Sequence, residues 1–446
     1  MLHRASLFTL SSLLCVAACD PSPPDGTDAN VGEPEDVASF PASPRPLDLL
    51  FVIDDSPSML DKQEALASAF PQLLAQLAAF EGGLPDLQIG VISSDMGTSS
   101  SGDAPAPTIG TPGTGGCAQR GKAGALLVQA NVMREAGDLF LEHPRGGQPN
   151  YNGTLGDALA AQVRLGAQGC GFEQPLSALK ASLELEANSR FLRPAASLAV
   201  VILSDEDDCS ASRGSTLFAP DNAASGPLSS FRCFRFGVEC AEGDLNQVGA
   251  KSACKPRQGS DALLDDVAPF RAALLAAKGD PRKVMLGAIA GPVDEVAVVL
   301  RANPGSGVEN PNLKHACEWT NAQALPAVAD PAVRIASLVN TFPGRSVFAS
   351  ICGNDYGPAA TAIGDELEKL IIGDRCLAHA VSDTSTCSVV DDTAGQLTAI
   401  ERCGTSGETT CYAILPDTAC ASGQRLDVSR ASAAPADTFV TLRCAR

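Results

Sequence analysis

Five consecutive residues, Asp54-Asp55-Ser56-Pro57-Ser58, follow directly on the apolar run Leu47–Ile53 and read D-x-S-x-S. Asp54, Ser56 and Ser58 bring one carboxylate and two hydroxyls to a sharp strand-to-helix turn. All are hard oxygen donors, suited to magnesium, calcium or manganese rather than to a soft metal. A second acidic group, Ser204-Asp205-Glu206-Asp207-Asp208, follows the apolar stretch 198–203. It sets Asp205 at the carboxyl end of its strand, as Asp54 is set at the end of the first. In open α/β sheets, ligands bind outside the carboxyl ends of the strands. Carboxylates gathered there repel one another unless a cation intervenes. Alone, the acidic run reads as a solvated loop; together, the two groups read as a divalent cation site.

These residues must be carried by a regular frame, and the chain supplies one. From about residue 46 to 375, short apolar runs alternate with amphipathic stretches, the pattern of an α/β fold with a central, mostly parallel sheet flanked by helices. Leu47–Ile53, Leu87–Ser93, 198–203, Val284–Ala290 and 346–351 are the predicted strands. The 198–203 run is apolar without alternation, as for a central strand covered on both faces. Leu66, Phe70, Leu73, Leu77 and Phe80 share one helical face, with Pro71 expected to kink or interrupt that helix. Pro175 opens another helix, and 357–372 is the last of this region. Two stretches depart from the alternation: 94–129, rich in Gly, Ser, Thr and Pro, and an insertion at about 208–260 holding Cys209, Cys233, Cys240 and Cys254, read as disulfide-stapled. Residues 376–446 hold six cysteines and little helical pattern. They read as a small disulfide-rich β module that cannot rely on its core alone.

The motifs resemble those of the von Willebrand factor A family, and the chain is most similar to its cysteine-rich bacterial surface lipoproteins. The family's metal-ion-dependent adhesion site pairs D-x-S-x-S after the first strand with a Thr on a second loop and an Asp after the fourth strand. Asp54, Ser56 and Ser58 match the first motif and Asp205 the last. The resemblance implies a Rossmann-like von Willebrand factor A domain over residues 46–375. For the Thr place two positions compete. Gly153-Thr154-Leu155-Gly156-Asp157 looks like the family's Thr loop, whereas Gly169-Cys170-Gly171-Phe172-Glu173 lies at the expected spacing before the Asp205 strand. Glu173 is preferred and Thr154 kept as second choice. A carboxylate there neutralises more of the cation's charge than a hydroxyl does, so the metal is expected to be held more tightly and an acidic partner more weakly. Glu173 also reads as a helix-start carboxylate. Asp95 is read as a turn former, and Asp55 as free to face solvent.

The amino terminus points to export. Met1-Leu2-His3-Arg4 is basic, residues 5–18 are mostly apolar but too short to span a bilayer, and Val16-Ala17-Ala18-Cys19 sets small residues before a cysteine. Residues 1–18 are therefore expected to be a lipoprotein signal peptide, with Cys19 lipidated. Residues 19–45, rich in Pro, Asp and Gly, are read as a disordered tether reaching roughly 30 Å. The expected location is the bacterial cell envelope, at the outer membrane or cell surface. Of the 16 cysteines, 14 remain after Cys15 and Cys19, an even set that argues for disulfides in an exported chain. Zinc is not expected, because no C-x-x-C pair occurs.

A formal net charge of −20 and a sequence pI of about 4.6 argue against nucleic acid. No H-E-x-x-H, G-x-S-x-G or P-loop string occurs, and no histidine lies near either acidic strand end in sequence; His143, His315 and His379 read as surface residues. Binding therefore stands ahead of catalysis. The expected activity is non-enzymatic, metal-dependent binding of a protein or matrix ligand, through a carboxylate or another oxygen. An envelope scaffold with an unused site, and a metal-dependent hydrolase, are the alternatives.

Overall fold

The computed structural model describes residues 35–80, 83–103, 105–221, 224–259, 262–302, 307–404, 410–432, 434–435 and 437–445. The signal peptide, Cys19 and the tether as far as residue 34 lie outside the described residues. Among the described residues the fold is mixed α/β, with several sheets and seven disulfides. That number of disulfides indicates an extracellular or envelope location.

The sheet that carries the acidic strand ends has six strands. In chain order they are β2 (Leu47–Ile53), β3 (Leu87–Ser93), β4 (Leu141–His143), β5 (Ser197–Ser204), β6 (Val284–Ala290) and β7 (Ser346–Ser350), while β1 (Glu35–Pro41) belongs to another sheet. The spatial order is β7-β6-β5-β2-β3-β4, parallel except for β4 at the edge. From β2 the chain moves outward through β3 and β4, then returns to pair β5 on the other side of β2. The order therefore reverses between β2 and β5, the two strands that end in Asp54 and Asp205. Asp54 N donates to Leu203 O at 2.9 Å, so the acidic turns start side by side.

Both faces of the sheet are covered. Leu49, Phe51 and Ile53 pack against α1 (Leu60–Ala79), α2 (Leu155–Val163) and α7 (Gly357–Ile371). Leu50 and Val52 face α3 (Pro175–Glu184), α5 (Ala268–Lys278) and α6 (Val333–Val339). This alternation explains why β2 and β5 are buried along their whole length. α4 (Phe231–Gly237) belongs to the insertion. Pro71 sits inside α1, which continues through it, so of the expected kink or interruption the interruption does not occur. It removes one backbone donor, while Phe70 and Leu73 on either side stay packed in the core.

Asp48, on fully buried β2, is neutralised from outside the strand. Lys278 Nζ lies 2.7 Å from Oδ2 and Arg193 Nε 2.8 Å from Oδ1, with both Asp48 and Lys278 wholly buried.

A second sheet is built from β8 (Cys387–Thr393), β9 (Gln396–Arg402), β10 (Thr410–Pro416), β11 (Gln424–Arg430), β12 (Thr438–Cys444) and β1 (Glu35–Pro41). The tether reading thus fails over 35–41: β1 pairs antiparallel with β12 and buries Val37 and Phe40 against Val389, Val440 and Leu442. Two large apolar side chains among seven residues would not have marked a strand on composition, but the partner edge supplies the burial. Cys376–Cys420, Cys387–Cys444 and Cys403–Cys411 staple this sheet. Where it meets the first unit, Phe439 lies between the guanidinium groups of Arg45 and Arg282, at 4.4 and 4.0 Å.

Candidate metal centre

The turn after β2 folds as it does because Asp54 organises its own backbone. Its Oδ1 accepts from Ser56 N at 2.9 Å and its Oδ2 from Ser204 Oγ at 2.9 Å, bridging the two strand ends. Gln63, one turn into α1, donates to Asp54 O and fixes the helix start. Ser56 Oγ then stands 3.0 Å from Ser58 Oγ, and Ser58 Oγ donates to Asp205 Oδ1 at 3.1 Å. Three oxygens from two separate loops are thereby joined in one run of hydrogen bonds.

Glu173 lies within electrostatic reach of Asp54. It is buried, Ser94 Oγ donates to its Oε2 at 2.5 Å, and its Oε1 has no partner. The loop that carries it is held on both sides. The Cys117–Cys170 disulfide pins it from the 94–129 stretch, and Cys209 N donates to Glu173 O at 2.6 Å from the insertion. Gly169 has no room for a side chain: a Cβ there would lie 2.1 Å from Asp55 Oδ1.

Thr154 is not brought to this rim. It caps α2, accepting from Asp157 N at 3.1 Å and donating to Asp157 Oδ2 at 2.7 Å. α2 runs antiparallel to α1: its far end reaches Gln63 through Gly166 N, whereas Gly156 beside Thr154 lies against Leu74. Eleven residues of helix between Gln63 and Leu74 put Thr154 roughly 15–20 Å from the acidic turn. Asp55 is likewise not at the surface. It is fully buried, accepts from Ser93 Oγ at 2.7 Å and pairs with Lys122, which makes it part of the loop's internal support. Asp95 does form a turn, accepting from Gly97 N.

The electrostatics follow from burial. Asp54 is pushed up to about 7, by burial first and the Asp205 charge second. Burial, then the Asp54 charge, holds Glu173 well above the usual carboxylate range. Asp205 is raised by burial, against the pull of Lys62. Half-buried Glu206 is raised well above its usual range by desolvation and by Asp330, Asp205 and Asp54.

Several members of this site were not foreseen. Lys62, in the first turn of α1, lies 3.0 Å from Asp205 Oδ2 and donates to Ser58 O at 2.9 Å. The ring of Trp319 covers its ammonium at 5.2 Å. Trp319 stands on a hairpin (Cys317–Thr320 with Pro326–Ala329) clamped by the Cys317–Cys352 disulfide. Asp330 N donates to Asp205 O at 2.8 Å, and Asp330 Oδ1 is 2.6 Å from His315 Nδ1. His315, read as a surface residue, is thus one residue removed from the acidic rim. Asp207 and Asp208 turn away from it: Asp207 caps α6 through Arg334 N and Ile335 N, and Asp208 pairs with buried Arg334 at 3.0 Å.

Among the described residues no three His, Cys, Asp or Glu side chains converge as a metal cluster. The set that could hold a cation is mixed, two hydroxyls and one carboxylate oxygen. Neighbouring ligands in a magnesium octahedron stand about 2.9–3.0 Å apart, against 3.0 Å for Ser56 Oγ to Ser58 Oγ and 3.1 Å for Ser58 Oγ to Asp205 Oδ1. Lys62 takes the other oxygen of Asp205, and Glu173 Oε1 is buried without a partner. The donor set therefore fits a hard divalent ion.

No protein-family model matches the chain, and no curated protein does. Among solved structures it is similar to the conserved hypothetical protein BatB from Bacteroides thetaiotaomicron, at 10% identity and a TM-score of 0.28, covering 73% of this chain and 98% of that one. An aerotolerance-related membrane protein from Bacteroides fragilis follows at 13% identity and a TM-score of 0.25, with 72% and 99% covered. The human COPII-coat protein Sec24c matches at 9% identity and a TM-score of 0.26, with 92% of this chain and 42% of that one covered. Likenesses this faint decide neither fold family nor function.

Proposed function

We propose that the chain is a von Willebrand factor A-like binding protein of the bacterial cell envelope, lipid-anchored through Cys19, whose recognition site holds a divalent cation. The observation that carries this reading is that Ser58 Oγ stands 3.0 Å from Ser56 Oγ and 3.1 Å from Asp205 Oδ1, each a separation that adjacent ligands of one hard ion would have. The strand order supports it as well, because the three atoms sit where the order reverses between β2 and β5, the position at which open α/β sheets bind ligands.

In this reading a bound cation supplies positive charge and an open position for one oxygen of a protein or matrix partner. The chain's residues do the rest. Ser56, Ser58 and Asp205 hold the ion, Asp54 orients Ser56 and Ser204, and Glu173 supplies further negative charge from the Cys170 loop. This reading is of a binding site rather than a catalytic one.

A melting curve tests the reading. A ligand bound only by the folded state stabilises by about 2.7 kcal/mol at a hundred times its Kd. Millimolar Mg, Mn or Ca should therefore raise the Tm of EDTA-treated protein, and the rise should vanish in Asp205→Ala. No rise with any of the three ions would favour the scaffold alternative. Ion-dependent turnover of generic phosphoester or peptide substrates, lost in Asp54→Ala, would favour the hydrolase.

A further inference from the structure

Lys62 is an unusual neighbour for a cation site. Its side chain is 3% exposed, it pairs with Asp205 at 3.0 Å, and the Trp319 ring closes over it. It also donates to Ser58 O, so one ammonium touches both loops that supply the ion's ligands. We propose that Lys62 is the built-in counter-cation of the site: it holds Asp205 by Oδ2, leaves Oδ1 to the ion, and lowers the affinity with which a divalent ion is bound. The inference rests on the divalent-cation reading above and concerns what sets the strength of that site.

The charges explain why such a residue is needed. Asp54, Glu173 and Asp205 are all buried, with the Asp54 carboxylate within electrostatic reach of both others, and Glu206 and Asp330 add charge beside them. Without a cation, these groups must share protons or repel one another. A fixed ammonium on Asp205 offsets one negative charge permanently, so the ligand geometry survives in the empty site. The same ammonium repels an incoming dication held one carboxylate away. With three carboxylates, one ammonium and one dication, the inner site is neutral when filled. It then exerts no net pull on a partner's carboxylate and suits a neutral oxygen donor, such as a hydroxyl or an amide carbonyl.

Trp319 makes this measurable, because it is the single tryptophan of the chain and stands against Lys62. Terbium, a hard-oxygen probe ion, bound at Ser58 and Asp205 should emit when the indole is excited. EDTA-stripped wild type, Lys62→Met and Lys62→Arg are titrated with terbium, and each complex is then titrated with manganese as competitor. Lys62→Met should bind manganese at least tenfold more tightly than wild type, and Lys62→Arg, which keeps the charge, should stay within about twofold. Binding in Lys62→Met alone also supports the proposal. Equal or weaker binding by Lys62→Met, with wild type binding normally and Lys62→Arg showing that the position tolerates change, overturns the role of Lys62 but leaves the cation site standing. No sensitised emission and no manganese binding in any of the three overturns the cation reading and this inference with it.

Discussion

The buried carboxylates predict an unusual dependence of stability on pH. Asp54 is raised from 3.8 to about 7, with burial as the main cause. Unfolded, it releases its proton near pH 4; folded, it keeps that proton until near pH 7. Its stabilising contribution is therefore fully present below about pH 4 and is lost as pH rises through 7. Across that window the folded chain holds close to one extra proton at Asp54, so stability falls by about 1.4 kcal/mol per pH unit, and by about 4 kcal/mol in all. Asp205, Glu173 and Glu206 are shifted in the same direction and steepen the trend. The assay is urea unfolding of EDTA-treated protein at pH 5, 6, 7 and 8, disulfides intact, followed by Trp319 emission. Wild type should lose stability at each step, and Asp54→Asn should show a slope smaller by up to one proton. A divalent ion, which binds the ionised carboxylates, should restore most at pH 8 and least at pH 5. Stability that is flat or rises from pH 5 to 8, or a slope unchanged in Asp54→Asn, would refute the placement of Asp54 in a buried, cation-deficient cluster.

Other variants separate the supports of the site from the site itself. Arg334→Ala leaves Asp208 buried without its partner and should cost about 3–5 kcal/mol by urea unfolding, whereas Thr154→Ala should cost about 1 kcal/mol and leave manganese affinity unchanged. Asp48→Ala strands the buried ammonium of Lys278 and should cost a similar 3–5 kcal/mol. Replacing both Cys317 and Cys352 by Ser opens a loop with a sequence separation of 35. It should cost about 4 kcal/mol on the chain-entropy scale and abolish terbium emission sensitised by Trp319, read in a single titration. Glu173→Gln should weaken manganese binding at least tenfold by calorimetry.

Much of this arrangement was legible in the chain. The predicted strands at 47–53, 87–93 and 284–290 stand where hydrophobic pattern put them, because strands covered on both faces read as nearly continuous apolar runs. Asp54 and Asp205 were readable as neighbours for the same reason, each following such a strand. What the chain concealed is what depends on long-range pairing. Lys62 reads as an ordinary first-turn helix residue until Trp319, more than 250 positions later, folds over it. Asp55 looks like a solvent-facing spacer until Lys122 arrives from a Gly-rich loop. The β1 segment looks like tether because its partner strand is the last in the chain, some 400 residues away. The Cys117–Cys170 link, which fixes the Glu173 loop, follows from no spacing rule.

The most direct measurement is a calorimetric titration of EDTA-stripped protein with manganese, in wild type, Ser58→Ala and Asp205→Asn. If Ser56, Ser58 and Asp205 hold a divalent ion, wild type binds one equivalent and each variant loses at least tenfold in affinity. No binding by wild type, or the same affinity in all three, would contradict a cation site at the D-x-S-x-S turn.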